Sequence, residues 1–227
     1  MKEIVLTNDS TIYGGDWVQD VEVIPLETSD KALVGMVDGV IATDSNIIIY
    51  DWMRSQRVFI FNRDGKHRAT INRSGRGPQE YVRFAHVAML PDNQTLAIHD
   101  NGDGKVLFFS LDGRFISSIP MGFGFSRMEY LDENKVVCAK FGSGENDPGL
   151  QEYENRTDLL FFTDNKFGIK GSAIPLRYKD NLIISTPVIW KSGEQVYAHR
   201  PFSDTIYQAL PNSLKAIYRL NIEPIGG

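Results

Sequence analysis

Two aspartates stand at the same point of a repeated pattern: Asp51 closes IIIYD and Asp100 closes LAIHD. His99 and Asn101 flank the second, and His199 falls near the matching place later in the chain. Oxygen and nitrogen donors of this kind could hold a divalent ion, calcium or zinc, for metal-assisted hydrolysis or elimination. Two residues argue against a full ring of ligands. Arg200 occupies the equivalent place in the last repeat, and Lys140 or Phe141 in the third. An Asp at a strand end also commonly accepts hydrogen bonds from the next loop's amides.

A second polar set lies in GRGPQEY, residues 75–81, where Arg76, Gln79, Glu80 and Tyr81 could line a pocket. The competing reading is architectural: Gly75, Gly77 and Pro78 shape a chain crossing, and Tyr81 packs beneath it. The stretch lacks GK[ST] and no helix follows, so it is not a phosphate loop. HDNGDG (99–104) lacks the alternating spacing and distant Glu of a calcium loop and reads as an Asx-rich turn. His67, His86, His99 and His199 are scattered, with no HxH, HExxH or nucleophile elbow. Cys138 is the one cysteine and sits in KVVCAKF, where a buried thiol is expected. Among aromatics, Trp52, Tyr81, Phe123, Phe125 and Tyr153 fall on or near long loops, whereas Trp17 and Trp190 read as packing.

What must position these groups is a repeat. NIIIYDWMRSQRVFIFNRDGK is echoed about 49 residues on by QTLAIHDNGDGKVLFFSLDGR. Asp51 aligns with Asp100, Val58–Phe61 with Val106–Phe109, and Asp64-Gly65 with Asp112-Gly113. Short strands at such a period predict β-propeller blades. Ile47–Tyr50 and Val58–Phe61 are apolar at nearly every position, so both faces of these strands must be covered, as in stacked blades. Lys66–Asn72 is polar and suits an outermost strand.

The reading is a single all-β domain over 1–227, a propeller of four-stranded antiparallel blades spanning about 34–72, 84–119, 125–174 and 182–220. Strand candidates at 3–6 and 21–26 precede them, and Val21–Leu26 is a candidate outer strand to seal the ring. A long insertion, 142–157, interrupts the third blade, with one or two helical turns expected from Asp147-Pro148. In an up-and-down blade, loops after the second and fourth strands share one face. That face collects the long loops, and PDNQ, RDGK and LDGR trim the other. Variable loops on a rigid scaffold are where binding groups gather.

Composition fits this picture. Hydrophobic residues make up 42% of the 227 and the net charge is −5 with mixed signs. No basic run suits nucleic acid, and no apolar stretch suits a membrane span. The first residues carry no apolar leader core, which fits either a cytoplasmic protein or a mature region.

IPLET (24–28), IIIYD…VFIFNRDGK (47–66) and GRGPQEY (75–81) together resemble the six-bladed β-propeller proteins of gut bacteria, an NHL-like repeat group. The likeness covers most of 21–220 and is strongest over 24–120. It implies export, a periplasmic or cell-surface location and often a lipid anchor. Four repeats are visible against six in the group. The chain either closes with four, five or six blades or leaves an open arc that would favour oligomers. The expected function is a non-catalytic binding or scaffolding module without a cofactor. A glycan, peptide or partner protein would be held on the long-loop face by Trp52, Arg54, Arg76, Gln79, Glu80, Tyr81, Asn101, Phe123 and Arg200. The alternative is a lactonase-like metal hydrolase or lyase, with calcium or zinc near Asp51, Asp100, His99 and His199.

Overall fold

Apolar runs long enough to hide both faces dictate the architecture. The computed structural model describes residues 1–6, 18–140, 158–175, 188–201 and 203–222. Among them there is no helix. Of seventeen strands, sixteen form four antiparallel blades of a β-propeller, and one more is added at the edge of the fourth. The first blade comprises β2 (Gly39–Ala42), β3 (Asn46–Asp51), β4 (Arg57–Asn62) and β5 (His67–Ile71). The second holds β6 (Phe84–Met89), β7 (Thr95–Asp100), β8 (Lys105–Ser110) and β9 (Phe115–Pro120). The third holds β10 (Arg127–Asp132), β11 (Lys135–Ala139), β12 (Asp158–Asp164) and β13 (Ile169–Pro175). The fourth holds β14 (Ile189–Ser192), β15 (Gln195–His199), β16 (Thr205–Leu210) and β17 (Ser213–Ile222). In each blade the strands pair in chain order, so the long loops do emerge on one face and the tight turns on the other.

The inter-blade cores follow the apolar runs. Ile48, Val58 and Ile60 of the first blade meet Leu96, Ile98 and Leu107 of the second. Ala97, Val106 and Phe108 meet Met128, Val136 and Cys138 of the third. Val137, Leu160 and Phe162 meet Ile189, Val196 and Ala198 of the fourth. Cys138 is fully buried, as its setting in an apolar strand predicts, and burial pushes its thiol up.

The amino-terminal segments depart from expectation. Residues 21–26 form no strand. Ile24 and Leu26, with Ala32 and Val34, instead cover Ile47, Ile49, Phe59 and Phe61 on the first blade's other face. The Glu27 amide anchors this strap on the Gly65 carbonyl at 2.8 Å. The edge of the fourth blade is taken by β1 (Lys2–Leu6), which pairs parallel to β17. The 142–157 insertion with its expected helical turns, Tyr153 and Trp17 lie outside the described residues.

Candidate functional site

The aspartates at the strand ends are loop caps. Asp51 Oδ1 accepts from the amides of Arg54 (2.8 Å) and Ser55 (3.1 Å). Its Oδ2 accepts from the Ser55 hydroxyl (2.9 Å) and the Met36 amide (3.1 Å). Burial alone would raise its pKa, but these four donors hold it below the usual carboxylate range. Asp100 accepts from the amides of Val82 (3.0 Å), Arg83 (2.9 Å) and Gly102 (3.0 Å). Each carboxylate thus ties the loop after its own strand to the chain entering beside it. Among the described residues, no three His, Cys, Asp or Glu side chains group as ligands of one metal ion.

GRGPQEY also folds upon itself. Glu80 Oε2 accepts from the Gly77 amide at 2.8 Å. A Cβ at Gly75 would meet that carboxylate, so the glycine leaves room for Glu80 to fold back over the loop. Tyr81 is wholly buried between the first two blades. Its hydroxyl donates to the Gln56 carbonyl at 2.7 Å, and burial pushes its pKa to about 12. Phe123 is buried against Phe125 and Phe161, each at 5.7 Å between centroids. These two aromatics pack the scaffold and leave the surface to others. Trp52, Arg54, Arg76, Gln79 and Asn101 are exposed on the long-loop face, and Arg200 is half-buried. The amides of Trp52 and Met53 both donate to Asp38 Oδ2, at 2.8 and 2.9 Å, which fixes the platform that Trp52 crowns.

A polar cluster that the sequence reading did not single out converges at the long-loop end of the inner strands. Tyr50 lies opposite Gly39, where a Cβ would strike its ring, so the missing side chain lets Tyr50 reach over β2. There it comes within electrostatic reach of the Arg127 guanidinium of the third blade, and burial pushes its pKa up. The His86 ring of the second blade meets Tyr50 edge-on at 6.1 Å. His86 Nε2 lies 3.1 Å from the Met128 carbonyl and 3.8 Å from Glu129 Oε1. Three blades therefore contribute a phenol, an imidazole, a guanidinium and a carboxylate to one place. The cue in the sequence was slight: His86 interrupts the otherwise apolar β6, Arg127 and Glu129 alternate with apolar residues in β10, and a glycine faces Tyr50.

His99, the cross-strand partner of His86, is nearly inaccessible and stacks on Phe125 at 3.8 Å. Its Nδ1 has no partner. Burial, then repulsion from His86, lowers its pKa to about 3, so it is neutral. His199 sits beside Trp190 on the fourth blade, 5.8 Å between ring centroids, apart from Asp51 and Asp100. Trp190 itself stacks on Tyr197 at 5.7 Å.

Comparison with known proteins agrees on the fold. The family model described as a domain of unknown function, DUF4934, matches residues 3–225. A crystal structure of a "Putative exported protein" from Bacteroides fragilis superposes with a TM-score of 0.81 at 21% identity, covering 98% of this chain and 61% of that one. A member of the DUF4221 family from Bacteroides vulgatus gives a TM-score of 0.57 at 11% identity, covering 87% of this chain and 61% of that one. The chain thus spans about three fifths of the length of both. No curated protein matches it.

Proposed function

We propose a binding role, starting from the fact that the chain belongs to the DUF4934 family: its long-loop face holds a polar ligand, a glycan, a peptide or a partner protein, at the mouth formed by the inner strands. The observation that supports this best is the meeting of Tyr50, His86, Arg127 and Glu129 from three blades, with Trp52 exposed on the same face. A rigid scaffold that presents donors, acceptors and an indole together suits recognition. The lactonase-like reading would draw on Asp51 and Asp100, whose oxygens already serve loop amides. Kinship with six-bladed, NHL-like propellers and a periplasmic or surface location belong to the same proposal. The likeness to a protein described as exported supports the location.

The test is a screen of immobilised glycans and peptides with purified protein, repeated with Glu129→Gln and Trp52→Ala. A ligand whose affinity falls about ten-fold in either variant, with unfolding unchanged, supports the site. Calorimetric titration with calcium and zinc runs beside it. Stoichiometric binding abolished by Asp51→Ala would replace this reading with the metal hydrolase.

A further inference from the structure

We infer that the two ends of the blade series bind each other between copies of this chain. The free face of the fourth blade seats on the strap that caps the first blade of a second copy. This stands apart from the ligand proposed above, because it uses sheet faces and not the long loops. Propeller blades pack against their neighbours through both faces of the sheet. Here the first and second, the second and third, and the third and fourth blades share buried clusters. Among the described residues no such cluster joins the fourth blade to the first, whose outer face belongs to the strap.

Strand register shows what the fourth blade leaves over. Ile189, Val196 and Ala198 turn to the third blade, so the residues that alternate with them turn away. That second face holds three cross-strand pairs: Trp190 with Tyr197, Ile206 with Tyr218, and Leu220 with Ile4. Trp190 and Tyr197 stack at 5.7 Å between centroids, and all but Ile4 are half-buried, whereas Ile4 is exposed. An aromatic and aliphatic sheet face continues the series of interfaces that the other blades bury.

Exposed large apolar side chains gather at the same two ends. Of thirteen among the described residues, nine lie from Val18 to Met53, before and within the first blade. Met1, Ile4 and Val5 lie on or beside β1, and only Ile116 stands elsewhere. Val21 and Val23 of the strap are exposed at 72% and 84%. Apolar exposure concentrated in this way marks an interaction surface.

Charge favours unlike ends over like ends. Lys2 lies beside Tyr218 and Lys215 beside Gln208, both on the fourth blade's second face, and no carboxylate joins them in its described strand positions. Residues 18–34 carry Asp20, Glu22, Glu27 and Asp30 against Lys31, with Glu22 paired to Arg63 at 3.0 Å. Two fourth-blade faces would bring lysines together, whereas the strap offers them carboxylates. Such a contact uses different surfaces on the two copies, so association proceeds until a ring closes or a filament grows.

The experiment is sedimentation velocity of the full chain at rising concentration, repeated with two variants. Wild type should pass from monomer to larger species. Val21→Lys with Val23→Lys on the strap should weaken association by about ten-fold or more, and so should Ile4→Glu with Lys215→Glu on the fourth blade. Mixing the two variants should restore a species of at least two chains, since each supplies the end that the other lacks. Hydrogen exchange of β1 and of Val21 and Val23 should slow as wild type associates. Thermal unfolding of each variant reports whether it folds, and Lys2→Glu with Lys215→Glu replaces the second should it misfold. A wild type that stays monomeric at every concentration overturns the inference. Association that survives the strap variant would mean that fourth blades meet each other, and association that survives the fourth-blade variant would mean that straps do. Either result, or a mixture that stays monomeric, overturns the head-to-tail contact.

Discussion

Asp51 shows how a residue placed for chemistry is spent on structure. It accepts three hydrogen bonds from the turn that follows it and a fourth from the Met36 amide, and Asp51→Asn would turn an amide NH₂ toward donors that already point inward. The substitution should cost about 1–3 kcal/mol in urea unfolding at pH 7. The folded pKa is depressed, so this stabilisation is complete above the ordinary Asp value of about 4 and is lost as pH falls through the folded value. The gap between wild type and Asp51→Asn should therefore shrink at pH 3. A gap that persists would mean the carboxylate's charge is not what matters. His99 makes the companion case. Its folded pKa of about 3 lies well below the ordinary histidine value of about 6.5, so between the two the unfolded chain binds a proton that the folded chain refuses. Stability should decline as pH drops through that window, and His99→Leu should flatten the decline between pH 6.5 and 4. An unchanged slope would show that His99 is protonated in place.

At the scale of strands and loops, Gly39, which faces the Tyr50 ring, is a sensitive point. Gly39→Ala should push Tyr50 off β2 and away from Arg127, costing about 1–3 kcal/mol by overpacking. It should weaken ligand binding more than Tyr50→Phe does, because it moves the whole ring and not only the hydroxyl. Equal effects in a binding titration would show that the ring's position is immaterial. How much of this was legible depended on whether the information was local. The runs Ile47–Tyr50 and Val58–Phe61 announce strands covered on both sides, and the Asp-Gly turns mark the hairpins, so the blades could be read directly. The loop role of GRGPQEY was also readable, since Gly75, Gly77 and Glu80 act on one another within a few residues. The mouth was not readable. Tyr50 and Arg127 stand in different blades, and only the stacking of sheets brings them together. The strap misled for a related reason: the apolar alternation of 21–26 suits an edge strand, but covering Phe59 and Phe61 buries Ile24 and Leu26 without a ladder.

The whole molecule is a series of interfaces, and the series does not treat its members alike. Buried clusters join the first blade to the second, the second to the third and the third to the fourth. The first blade's remaining face is covered by the strap. The third strand of each blade shows the consequence. Val58–Phe61, Val106–Phe109 and Leu159–Phe162 are buried, yet Ile206, Tyr207 and Gln208 of β16 are only half-buried. At its outer edge β17 is shielded by β1, which is exposed along its length through Val5 and pairs through the backbone. Local stability follows buried apolar contact, so opening of the fourth blade should cost less than opening of the others. Hydrogen exchange followed by mass spectrometry should find the amides of β1 first, then those of β16, exchanging before those of β4, β8 and β12, with protection lower by about ten-fold or more. The mouth belongs to the first three blades, so a fast-exchanging fourth blade leaves the ligand face rigid, and added ligand should slow exchange near Tyr50 and Arg127 while leaving β16 unchanged. Uniform protection across all four blades would mean that the fourth is held as firmly as the rest, and the unequal series would then be wrong.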